Sequence, residues 1–151
     1  MYFWNINKLK EDLKEQPLPE SESFKYLLAS SIVLGLVMVP LFETNKYDVI
    51  GALLDTVVLV FGVLYIFRCN GAANGEHLLQ RYFSLGWVVS IRWLVLAVIP
   101  VFVAYFVVME IVGEVPEYTT LQDTVLISVL YAGYFLRLGA HFKWVSGLHA
   151  V

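Results

Sequence analysis

Long uncharged stretches alternate with short charged ones along this chain. Tyr26 to Phe42, Val49 to Phe67, Trp93 to Met109 and Thr124 to Leu136 together hold one charged residue, Asp55. A hydrocarbon core of about 30 Å takes about 20 residues of helix, within a range of about 17–25. The first three runs meet that length. The pattern predicts an all-α polytopic membrane protein, a four-transmembrane-helix bundle, with spans at about 24–42, 49–68, 91–112 and 120–144. Together they form a transmembrane domain over residues 19–151.

The fourth run is short. Thirteen uncharged residues separate Asp123 from Arg137, which makes about 21 Å of helix. The helix must therefore extend past both charges. Asp123 and Arg137 then lie near the two interfaces, with Arg137 snorkelling outward and Phe142 and Trp144 at headgroup depth.

Two amphipathic pieces flank the spans. Over residues 1–18, Ile6, Leu9 and Leu13 recur at helical spacing, and Asn5 is a candidate N-cap. This predicts a short cytoplasmic helix, lying on the inner leaflet or against the protein's own cytoplasmic face. Pro17 and Pro19 end it, and Pro19 suits the start of the next helix, with Glu20 and Glu22 in its first turn. The second piece, Glu76 to Ser90, reads as an interfacial helix that bends near Gly86 into the third span, or as the start of a single continuous helix reaching into the cytoplasm. Pro100 predicts a kink within that span. Ser30, Ser31 and Gly35 permit close helix contact in the first span. The short turn before Tyr47 predicts that the first two spans form an antiparallel hairpin.

The stretch Cys69 to Gly75 contains two Asn-Gly pairs, which mark turns needing positive φ. It reads as a connector or a partner-docking loop. Neither GxGxxG spacing nor a P-loop lysine is present.

Charge adds sidedness. Lys8, Lys10, Lys14 and Lys25 precede the first span, Arg68, Arg81 and Arg92 lie between the second and third, and Arg137 and Lys143 follow the fourth. On the opposite side Lys46 stands alone. The positive-inside rule then puts both termini in the cytoplasm of a bacterial-type cytoplasmic (inner) membrane. The aromatic start followed by charge is not a cleavable signal, so the first span serves as the insertion signal. The outer loops are acidic, through Glu43, Asp48, Glu110, Glu114, Glu117 and Asp123. That acidity either solvates loop ends or attracts cations.

Composition agrees with a bilayer. Of 151 residues, 59% are apolar and only 15% charged, against about 25% charged in soluble domains. The net charge of −3 and the lack of a basic stripe exclude nucleic acid as a partner. Cys69 is the single cysteine, so no intramolecular disulfide and no thiolate metal cage can form.

Candidate chemistry is sparse. Asp55 lies about 9 Å below the outer surface. Gly51, Asp55 and Gly62 share a face, which turns Asp55 towards other helices. At the same expected depth lie Tyr105 and Ser128, with Tyr131 on the Ser128 stripe. Asp55, Tyr105, Ser128 and Tyr131 are therefore an expected intramembrane polar cluster, whether functional or structural. Arg92, Tyr134, Arg137 and His141 form an expected inner-leaflet group, contacting a lipid headgroup or a partner, or serving as interfacial anchors. His77, His141 and His149 lack metal-ligand spacing, and no hydrolase signature occurs. No cofactor, metal or catalytic residue is expected.

These features rank three functions. First is a non-enzymatic membrane subunit that assembles with itself or with a membrane or cytoplasmic protein and presents its cytoplasmic face for docking. Second is an oligomeric ion-conducting pore using Asp55 and the acidic outer mouth. Third is an intramembrane enzyme.

Overall fold

The computed structural model describes residues 18–37, 45–113 and 118–147. The expected helix over residues 1–18 falls almost wholly outside them, as do Glu43, Glu114, Glu117 and His149. The described residues are mostly helical, with no strand among them. It comprises α1 (Glu20–Val37), α2 (Lys46–Cys69), a short 3-10 turn (Ala72–Asn74), α3 (Leu78–Trp93), a π turn (Leu94–Val98), α4 (Ile99–Val112) and α5 (Leu121–Val145).

Three helices are long and apolar enough to cross a membrane. They are α2, α5 and the 35-residue continuous helix Leu78–Val112 formed by α3, the π turn and α4. The chain is read accordingly as a membrane protein. The first of the four expected spans, at about 24–42, is not established. α1 has 18 described residues and carries Glu20, Glu22 and Lys25 near its start, so its charge-free part is shorter than a bilayer core.

Local chemistry sets the helix starts. The Asn45 side chain accepts the Tyr47 N–H, and Asp48 reaches back to the Asn45 N–H at 3.0 Å. At α5, Thr120 Oγ1 accepts the Asp123 N–H at 3.3 Å, and the Asp123 carboxylate accepts the Thr120 N–H at 2.7 Å. Each capping box satisfies amides that have no partner within the helix.

The third expected span continues the amphipathic piece as one helix, Leu78–Val112, with Gly86 buried inside α3. A kink is expected near Pro100. The irregularity is the π turn Leu94–Val98 just before it. Proline has no N–H and its ring crowds the carbonyl four residues back, here that of Leu96. A wider turn relieves that crowding without ending the helix.

The core lies at the end of the molecule where residues 69–78 turn. Val63, Ile66, Leu78, Leu138 and Phe142 are fully buried there. α1 and α2 run antiparallel, with Phe24 stacked on Phe67 at 4.0 Å and Gly35 against Thr56. α2 and α5 run parallel. Gly51 meets Thr124, Asp55 meets Ser128 and Gly62 meets Phe135, each pair 73 residues apart.

The Cys69–Gly75 connector is held by part-buried hydrogen bonds. Asn70 is 1% exposed. Its Nδ2 donates to the Glu76 carbonyl at 3.3 Å, and its Oδ1 accepts from Arg81 at 2.8 Å. Ser146 Oγ donates to the Cys69 carbonyl at 2.7 Å. Positive φ occurs at Gly71 (96°) as the first Asn-Gly pair predicts, whereas Gly75 is extended. Gly75 is required for another reason: a Cβ there would strike the Asn70 backbone.

Candidate functional site

The polar groups of the second and last helices meet midway along their shared seam. Ser128 Oγ donates to the Asp55 carboxylate at 2.8 Å. This follows from the small-residue stripe. Gly51 brings Thr124 into contact and Gly62 admits the Phe135 ring, so the backbones approach closely and the short Ser128 side chain can reach Asp55.

Two cavities border this pair. One, of about 400 Å³, lies among α1, α2 and α5, with Asp48, Thr56 and Thr124 on its walls. The other, of about 790 Å³, lies between α5 and the Leu78–Val112 helix, with Trp87, Ser90 and Phe102 on its walls. Asp55 and Tyr131 line both. The carboxylate is half-buried and open to two clefts. Chemically it can hold a proton or a cation, or anchor a polar group of another helix.

Tyr105 does not join this cluster. Its hydroxyl is buried and directed at Asp123 and Thr120, without a hydrogen bond of full geometry. Matching depths by counting residues along straight helices misplaces it, because the π turn changes both the rise and the phase of α4.

The expected inner-leaflet group is divided as well. Arg92, Arg137 and His141 line a separate cleft of about 490 Å³. Tyr134 faces the larger cavity near Gly86 instead. Trp93 lines both clefts, with its indole seated over Gly133 and its Nε1–H donating to the Leu130 carbonyl at 3.1 Å.

Sequence reasoning missed two further contacts. One is the Trp93–Leu130 bond. The other is at the start of α3, where the Glu20 carboxylate accepts the Leu78 N–H at 3.0 Å. His77 stands in the N-cap position at φ 56° and gives that helix no side-chain cap. An acid from α1 supplies the missing acceptor. Its neighbour Glu22 is paired with Lys25, whose ammonium holds the Glu22 carboxyl down to about 2.

Among the described residues, no three His, Cys, Asp or Glu side chains converge. The chain matches no protein-family model, and no curated protein or solved structure is significantly similar to it.

Proposed function

We propose that this chain is a small non-enzymatic membrane subunit that assembles with itself or with a partner protein and presents its cytoplasmic face for docking. In this reading α1 extends to a fourth span, both termini are cytoplasmic, and the membrane is of the bacterial inner type, as the one-sided lysines and arginines favour.

One observation carries the reading. No residue of α4 is fully buried, and Ile111 is 80% exposed. The wedge between the Leu78–Val112 helix and α5 is the cavity of about 790 Å³, and Asp55 and Ser90 are on its wall. Within a bilayer such a wedge must be filled. Lipid tails satisfy apolar walls but not a carboxylate, whereas a transmembrane helix can bring a polar partner. The opposite end is tied by Glu20, Asn70 and Ser146, which suits a docking face. The test is co-purification in mild detergent followed by mass measurement of the intact complex. A homo-oligomer or a stoichiometric partner supports the proposal, and a protein-free monomer opposes it.

The position of Asp55 between two cavities favours a second reading, passage of a cation through an oligomer. Liposome flux separates the two, because the subunit reading expects none.

A further inference from the structure

The cleft lined by Arg92, Arg137 and His141 gathers two arginines and a histidine. Arg92 and Arg137 come from different helices, yet their side chains border one cavity of about 490 Å³. No carboxylate lines it. Among the described residues the ion pair is Lys25 with Glu22, so neither arginine has a counter-ion there. A guanidinium offers a planar fork of donors suited to phosphate oxygens, and two arginines border this one cleft. His141 adds a ring nitrogen at the same rim.

The rest of the cleft is apolar and directional. Leu96 and Ala97, within the π turn, line it about one turn beyond Arg92, and Val89 lies about one turn before it. Arg92 lies 20 residues before Val112, which is about 30 Å along a helix. That distance equals a hydrocarbon core. Arg92 therefore stands at one bilayer interface when Val112 stands at the other. The arginines meet the headgroup layer while Leu96 and Ala97 face acyl chains.

We infer that this cleft binds the phosphate of an anionic phospholipid, with Arg92 and Arg137 holding its oxygens and an acyl chain lying against Leu96 and Ala97. The absence of a wall carboxylate selects an anionic lipid over a zwitterionic one, because nothing in the cleft would receive a choline or ethanolamine cation. The inference needs both arginines at one interface. That this interface is cytoplasmic rests on the proposed orientation, and the test below does not depend on it.

The experiment uses the full-length protein, delipidated in mild detergent and titrated with phosphatidylglycerol, phosphatidylcholine or inorganic phosphate. Binding is read by native mass spectrometry. The wild type should retain phosphatidylglycerol about tenfold or more over phosphatidylcholine, and inorganic phosphate should not displace it. Arg92→Gln and Arg137→Gln should each weaken phosphatidylglycerol retention by about tenfold. Arg137→Lys, which keeps the charge and loses the fork, should fall between Arg137→Gln and the wild type. Lys143→Gln, outside the cleft, should leave retention unchanged. Equal retention of the two lipids by the wild type overturns the inference without requiring any variant to fold. Displacement by inorganic phosphate also overturns it, since the site would then serve a soluble phosphate. Undiminished retention in both Gln variants does the same. None of these readouts depends on how many copies assemble, so failure here is distinct from failure of the subunit proposal.

Discussion

Ser128 Oγ donates to the Asp55 carboxylate at 2.8 Å, across two parallel helices. The bond gives the acid within the second span a donor, and Asp55 also lines the two cavities beside it. Asp55→Asn keeps an oxygen acceptor for Ser128 and should preserve assembly and thermal stability. Asp55→Leu removes the acceptor and should cost about 1–3 kcal/mol. Thermal unfolding in detergent measures both. Should the protein conduct cations, Asp55→Asn should abolish flux while the protein still assembles. Equal stability of both variants would show that the Asp55–Ser128 bond has no structural weight.

Gly62 faces the Phe135 ring with no room for a Cβ, and Phe135 is 3% exposed. Gly62→Val should therefore destabilise by about 1–3 kcal/mol through overpacking. Phe135→Ala in the same chain should relieve part of that clash. A thermal midpoint unaffected by Gly62→Val would contradict the close α2–α5 approach.

Trp93 joins the third span to α5. Trp93→Phe should cost about 0.5–1.5 kcal/mol by losing the bond to the Leu130 carbonyl. A Cβ on Gly133 would lie 2.7 Å from the indole, so Gly133→Val should displace the ring. A double-mutant cycle makes the test specific: Gly133→Val should cost less in a Trp93→Ala background. Additive costs would place the indole elsewhere.

Glu20 caps a helix that begins 58 residues later. Glu20→Ala should destabilise by about 1 kcal/mol, and Glu20→Gln by less. Hydrogen exchange at the Leu78 amide should rise in Glu20→Ala. An unchanged exchange rate there would show that the amide is protected by something other than Glu20.

The proposed orientation is testable by cysteine labelling. Cys69 is buried, and Cys69→Ser supplies the background. Single cysteines at Lys46 and Tyr118 should react with an impermeant reagent on intact cells. Those at Asn74 and Lys143 should react only after permeabilisation. Labelling of Lys143 but not of Asn74 on intact cells would require an odd number of crossings between them and reject the four-span topology, and labelling of both would invert the proposed orientation.

The sequence alone determined the features that depend on composition and short-range spacing. Apolar runs of about 20 residues can only be helices in a bilayer, because each backbone group must then be satisfied within its own segment. The Gly51–Asp55–Gly62 stripe likewise marked the face of α2 that meets another helix. Its pairing with Thr124, Ser128 and Phe135 is legible only once the helices are assembled, since spacing within one helix carries no information about register with a second. Tertiary structure also decided the fate of the grouped residues. Tyr134 and Arg137 share a helical face in sequence, but they are separated by about 60° around the axis and about 4.5 Å along it. Trp93, seated over Gly133, lines the cleft of each. Arg92 joined Arg137 and His141 from another helix, and Tyr105 turned to Asp123. These outcomes depend on where the π turn re-phases the third span and on how closely glycines let backbones approach, and both are properties of packing between segments far apart in the chain.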